Sequence, residues 1–352
     1  MNAAAPSPTA DPSRIEPIGH ADAKRGFANS LAQGRLGGAF LIVGPPGIGK
    51  AALVKWIAQC LFCERTADDS LSCCGHCPGC SQVAAETHPD FVQVRKRDDR
   101  ATILLSQLIG DDNKRGQEGF CRDIRLRPFR GTRKVAILHD ADFLGKEGTN
   151  CLLKTLEEPP PDAVIFLVGT SEQKQLPTIR SRCQIVRLGP PRGADAVELL
   201  RLRGIECDAE TADRAIGLCG GDCHAAAALL TESGQGIRRR LTQLLDQPSI
   251  SGMALTTLVT KEIDSVGKGE NEEIAKAAVP AAKRDRLRHI LTIAIHRFRE
   301  RLIESADAPD RLPPIIYRLD RSIVAMSQIQ RNANQAALIE CWSTDIARGH
   351  PA

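Results

Sequence analysis

Residues 44–51 read GPPGIGKA. They satisfy every position but the last of the phosphate-loop pattern G-x-x-x-x-G-K-[ST]. The turn Gly44, Pro45, Pro46, Gly47, Ile48, Gly49 is expected to cradle an anion with backbone N–H groups and the N-terminus of the helix that follows. Lys50 would add positive charge toward the outer phosphates of a nucleotide. The last position is Ala51, whose methyl has no lone pair for the Mg²⁺ that a Ser or Thr hydroxyl ligates. A second metal position is expected from an acidic residue closing a buried strand. In VAILHDAD (135–142) His139 stands there, with Asp140 next. A neutral imidazole is a poor partner for hard Mg²⁺. Two metal-holding positions are altered together, which predicts a site weak or dead in hydrolysis and leaves binding of ATP or ADP open.

The second cluster with chemistry is C63-x10-C74-x2-C77-x2-C80. Thiolates at C-x2-C spacing suit tetrahedral Zn²⁺, and a closed set of four cysteines is structural because no coordination position remains for substrate. Gly75 and Gly79 allow the tight turns. Cys60 and Cys73 compete as ligands, and His76 is a weaker competitor.

The elements that must position these residues read as a parallel α/β unit. AFLIV (39–43), VAIL (135–138) and VIFLV (164–168) are apolar runs without alternation, as strands buried on both faces require. A helix follows the phosphate loop, and NCLLKTLEE (150–158) is a helix stopped by PPP. After Leu188 the strand signal fades, GPPRG (189–193) reads as a hinge, and GDCHAAAALL (221–230) is the clearest of several short helical patterns. From about residue 237 the chain is helical again, with Leu287, Ile290, Leu291, Ala294, Ile295, Phe298 and Leu302 on one stripe. The expected layout is a disordered lead over 1–14, an α/β unit over 15–188 with the cysteine insert at 63–80, a small helical lid over 189–236, and an all-α region over 237–352.

Composition narrows the function classes. The 352 residues are 42% hydrophobic, 26% charged and only 3% aromatic, with net charge +4 and 13 cysteines. No apolar run reaches the length of a membrane span, and MNAAAPSPTADPSR has no secretory pattern. Thirteen cysteines then point to reduced thiols, some metal-bound, in a cytoplasmic protein. RDIRLRPFRGTRK (122–134) carries six basic residues against one acidic, and 283–301 carries seven against two. Phosphate contact is one reading and a solvated charged face the other.

NCLLKTLEEPP (150–160), LPTIRSRCQ (176–184) and a phosphate loop followed by a four-cysteine insert together resemble bacterial DNA polymerase III clamp-loader subunits, within the AAA+ ATPases. The resemblance is dense from 39 to 188, thin to about 320, and local again at NANQAALIE, where Asn332, Asn334 and Glu340 are similar to the family's collar helix. It implies an AAA+ domain with a zinc-binding insert, a lid and an oligomerising collar. It also implies partnership with gamma/tau motor subunits and the delta subunit in a ring, and through them with the sliding clamp and primed DNA. The altered motifs look like those of delta-prime members, which often do not hydrolyse ATP. In the family the Arg of Ser-Arg-Cys, here Arg182, is a finger for ATP bound by the neighbouring subunit. Two departures stand out: 103–131 is longer and less regular than expected, and His224 sits near where active members place a phosphate-sensing Arg. The alternative function is a gamma/tau-like motor or another DNA-dependent ATPase. A third is a zinc-containing nucleic-acid module, opposed by the lack of aromatic residues for base stacking.

Overall fold

The computed structural model describes residues 16–97, 100, 102–266, 272–330 and 333–350. It divides into two compact units, Met1–Leu199 with Gly221–Cys223, and Leu200–Gly220 with His224–Ala352. The lead expected over 1–14 and Asn332 lie outside the described residues.

The first unit begins with α1 (Ala21–Ala32), β1 (Gly38–Val43), α2 (Lys50–Leu61), α3 (Pro78–Ala84) and β2 (Phe91–Val94). It continues with α4 (Leu105–Ile109), α5 (Phe120–Arg125), β3 (Lys134–Leu138), α6 (Lys146–Glu157), β4 (Ala163–Gly169), α7 (Pro177–Arg180), β5 (Gln184–Arg187) and α8 (Ala194–Arg201). The five strands form one parallel sheet in the order β2-β3-β4-β1-β5. Every residue of β3 and β4 is buried, as helices on both faces of a parallel sheet require. In register, Phe40 of β1 sits opposite Phe166 of β4, and both rings meet Phe27 of α1 edge-on. The three strands anticipated from apolar runs are therefore the three central ones.

The two outer strands were not anticipated. FVQV (β2) and QIVR (β5) carry polar residues because each is an edge with one paired side. The long segment 103–131 also proves to be core material. Ile103, Leu108, Phe120 and Ile124 are buried in the same cluster as Leu41, Ile165 and Leu167. Gly119 makes this possible. With φ 102, a Cβ there would lie 2.7 Å from the Gly110 nitrogen, so α4 and α5 meet through bare backbone.

The second unit is all helical: α9 (Ala209–Leu218), α10 (Cys223–Leu230), α11 (Glu232–Leu245), α12 (Gly252–Asp264), α13 (Glu272–Glu304), α14 (Leu312–Gln330) and α15 (Gln335–Arg348). The anticipated stripe on α13 is its buried face, from Leu287 through Phe298. Glu262, buried on α12, takes Arg240 and Arg286. Asn334 caps α15 by accepting from the Ala336 and Ala337 nitrogens, while Glu340 is exposed on that helix.

Candidate nucleotide loop, metal cluster and arginine

The phosphate loop runs from the end of β1 to the start of α2, and packing dictates its shape. A Cβ on Gly44 would lie 2.3 Å from the Leu188 carbonyl oxygen, and one on Gly221 would lie 2.8 Å from Pro45 Cγ. Gly47 and Gly49 take φ 74 and 94, values that favour glycine. The loop is tied from two sides. The Cys223 nitrogen donates to the Pro46 oxygen at 3.2 Å, and His20 Nε2 donates to the Ile48 oxygen at 2.7 Å. Sequence reasoning missed both anchors, since neither His20 nor Cys223 belongs to a motif.

Lys50 is buried and folds back on its own loop, donating to the Gly44 oxygen at 2.8 Å and the Pro45 oxygen at 2.6 Å. Burial pulls its amine down to about 8, opposed by the charges of Asp142 and Asp222. Ala51 presents only a methyl. His139 is buried, and its Nε2 donates to Gln93 Oε1 of β2 at 3.1 Å. Burial and then Arg95 push the imidazole down to about 4, so it stays neutral at physiological pH. The carboxylate that acts most on Lys50 is Asp142, ahead of Asp140. Asp142 accepts from the Thr170 nitrogen and hydroxyl at the end of β4 and from Gln175 Nε2 at 2.6 Å. The second acid of HDAD was its signal, but the sequence reading stopped at His139 and Asp140 and did not single out Asp142. His224 is exposed near the start of α10.

The cysteine cluster is built as its spacing predicts. Ligand atoms of Cys63, Cys74, Cys77 and Cys80 all lie within 4.8 Å of one another, and Cys63 and Cys77 Sγ are 4.0 Å apart. Tetrahedral zinc at about 2.3 Å from each sulfur needs sulfurs about 3.8 Å apart, so the set fits. Backbone N–H groups already point at the sulfurs: Cys74 to Cys63 at 3.4 Å, Cys77 to Cys74 at 3.3 Å, and Cys80 to Cys77 at 3.4 Å. Such donors favour thiolates. At Cys63 burial opposes them, yet hydrogen bonds from Thr66, Arg65 and Cys74 bring the thiol to about 6. Gly79 is required, since a Cβ there would fall 2.0 Å from the Phe62 oxygen. The competitors are engaged elsewhere. Cys60 and Cys73 share a hydrogen bond that, with burial, pushes the Cys60 thiol far up, and His76 Nε2 accepts from Arg65 at 2.7 Å. Four close cysteines can thus hold a metal ion, in a closed site with no place for substrate.

Arg182 follows α7 and is partly exposed. It bonds Glu157 at the end of α6 through Nε at 2.8 Å and Nη2 at 2.6 Å, and its Nη1 donates to the Thr178 oxygen at 3.1 Å. Between partly exposed groups such a pair contributes roughly 0–1 kcal/mol. The neighbouring Cys183 is packed against the core, and burial raises its thiol to about 12. The basic runs are largely internal chemistry. Lys134 pairs with the fully buried Asp90 at 3.3 Å. Within 283–301, Lys283, Arg286, Arg288 and Arg297 all hold carboxylates. In the first run Phe129 is 86% exposed among arginines.

Comparison with known proteins fits this arrangement. A family model described as DNA polymerase III, delta subunit, matches residues 19–192. The DNA polymerase III subunit delta' of Pseudomonas aeruginosa is 34% identical over 59% of this chain and 59% of its own length. That of Escherichia coli is 33% identical over 63% of each. The Escherichia coli tau subunit is 31% identical over 47% of this chain and 24% of its own. The chain therefore spans less than two thirds of the length of the delta' relatives it matches. A solved gamma subunit-related protein from Thermotoga maritima aligns over 92% of this chain and 100% of its own, at 18% identity and TM-score 0.36, a likeness too low to carry weight. Across residues 19–192, where the phosphate loop, the cysteine insert and the Ser-Arg-Cys turn all lie, the chain belongs to the DNA polymerase III clamp-loader family that includes the delta' subunits.

Proposed function

We propose that this protein is a delta'-type stator of the clamp loader: it does not hydrolyse ATP itself and supplies Arg182 in trans to the site of a neighbouring motor subunit. The observation that carries the reading is the state of the phosphate loop. Its backbone cradle is intact, while the two expected metal-holding positions carry the methyl of Ala51 and the neutral, Gln93-bound imidazole of His139. The loop then serves as a nucleotide-binding or structural relic. A guanidinium suits the remaining role, because its planar donors stabilise charge spread over transferring phosphoryl oxygens, an effect of roughly 10³–10⁵ in rate. The proposal includes gamma/tau and delta partners in a ring, action on the sliding clamp and primed DNA, a cytoplasmic setting, one structural Zn²⁺ on the cysteine cluster, and the α/β, lid and collar division at 188 and 236.

The experiment is site-resolved, single-turnover ATP hydrolysis in the reconstituted complex. Arg182→Ala is expected to assemble normally and to slow hydrolysis only at the interface it faces, with Arg182→Lys rescuing little. Wild-type hydrolysis there would refute the trans role. The alternative is a motor-subunit reading, which rests on the intact cradle and the retained Lys50. Purified protein turning over ATP near 1 s⁻¹, with the activity abolished in Lys50→Ala, would establish that alternative.

A further inference from the structure

The helical unit contains a cavity that none of the chemistry above uses. Its outer chamber, about 640 Å³, has an apolar wall of Ala215 and Leu218 from α9 with Leu229 and Leu230 from α10, and is lined on α11 by Arg238 and Arg239. That volume lies within the range of small-molecule sites. An inner chamber of about 20 Å³ shares Leu218, Leu229, Arg238 and Thr242 with it, and is lined from α13 by His289 and His296.

Two observations there point to a ligand. His289 is 5% exposed, and neither of its ring nitrogens has a hydrogen-bond partner among the described residues. Leaving a buried polar group unsatisfied is costly, and a native protein rarely carries one without a reason. The second observation is charge. Arg238 and Arg239 make no ion pair or hydrogen bond with the described residues. Two acids line the chambers themselves, Asp246 the larger and Glu300 the smaller, and both are neutralised by Arg297, while Glu210 holds Arg214. Among the described residues, the cationic and imidazole groups of the lining that hold no carboxylate are thus Arg238, Arg239, His289 and His296, all able to donate to an oxyanion.

We propose that this cavity binds a small phosphorylated molecule of nucleotide size, with its phosphoryl group on Arg238, Arg239 and the imidazoles and its body against the leucine wall. A phosphoryl group has three oxygens to share between donors arriving from α11 and from α13, where a carboxylate has two. Guanidinium forks match such oxygens in pairs. The inner chamber admits about one water-sized group, so a single oxygen reaches the imidazoles while the rest of the ligand stays in the outer chamber. Burial, reinforced by Arg286, lowers His289 to about 4, which keeps the ring neutral and leaves one nitrogen as donor. This site is separate from the phosphate loop and does not depend on the loop's function.

The test uses full-length Lys50→Ala protein, so that the phosphate loop does not compete. The imidazole resonances of His289 and His296 are followed by NMR during separate titrations with AMP and with inorganic phosphate. The expected result is saturable movement of both resonances, at lower concentration with AMP. The double variant Arg238→Ala, Arg239→Ala should weaken AMP binding about tenfold or more. Both arginines are exposed, so the fold should survive their loss. Stationary imidazole resonances at millimolar concentrations of both probes would overturn the proposal and leave His289 to a buried water. Movement unaffected by loss of the arginines would overturn it too, and equal affinity for AMP and phosphate would overturn the nucleotide-sized ligand.

Discussion

The phosphate loop and the cysteine insert lie at opposite ends of α2, and both depend on glycines pressed against backbone: Gly44 against the Leu188 oxygen, Gly79 against the Phe62 oxygen. Their side chains have fared differently. In the insert four sulfurs converge with N–H donors already aimed at them. In the loop the cradle persists, but Ala51 and His139 offer no hard ligand, and Lys50 is turned onto the loop's own carbonyls. The physical reason is that an anion cradle is made by backbone packed between a strand and a helix, so it survives loss of its side-chain chemistry. A thiolate cluster has no such backbone substitute. Each of its four positions needs its own side chain, and loss of one opens a closed site to water.

The largest expected effect lies on the insert. Structural zinc sites in small peptides are worth about 10–16 kcal/mol of apparent binding energy, so, with one equivalent of zinc expected in the wild type, Cys77→Ser should lose it and expose 63–80 to proteolysis. Cys60→Ser should keep the metal. Elemental analysis decides, and metal lost from Cys60→Ser but retained in Cys77→Ser would break the contrast drawn between the two regions.

Titration sharpens the contrast on the loop side. His139 falls to about 4 in the folded chain, so below pH 6.5 the unfolded chain takes up the proton first. Its contribution to stability is therefore present above 6.5 and lost as pH falls toward 4, by at most about 3 kcal/mol. Chemical denaturation across that range should show a shallower acid slope in His139→Asn; an unchanged slope would mean the imidazole is not buried as a neutral group. Lys50 gives a parallel case at higher pH, with a displacement of similar size. Its amine sits near 8 against an ordinary 10.5, so the unfolded chain binds the proton more tightly between those values and stability should rise with pH there. Lys50→Met should flatten that rise, and pH-dependent amine labelling should place the folded value near 8.

The smallest effect expected is at Arg182. Removing its ion pair with Glu157 should change the stability of the isolated protein by less than about 1 kcal/mol, read as the midpoint of a urea melt. A larger loss would make the arginine a structural tie between α6 and α7 and weaken the case for a trans role.

Much of this was legible because the signals are local. A run of apolar residues with no alternation is a strand buried on both faces, and β1, β3 and β4 were read that way. Cys63, Cys74, Cys77 and Cys80 were legible because coordination number and turn length limit which spacings work. The edge strands β2 and β5 were not, since a four-residue strand with polar positions has no periodicity to detect. Nor was the packing of 103–131, whose helices are short and joined by glycines.

Sequence by itself determined the cradle, the missing hydroxyl at Ala51, the cysteine set and the Ser-Arg-Cys turn, since each depends on residue type at fixed spacing along one short stretch. Tertiary structure decided what those residues meet. It brought Asp142 under Thr170 and Gln175, closed His20 and Cys223 onto the loop from distant positions, paired Cys60 with Cys73 outside the cluster, and left His289 without a hydrogen-bond partner among the described residues, in a cavity it shares with Arg238. These are contacts between residues far apart in the chain, fixed by which elements pack together, and no spacing rule along the sequence encodes them.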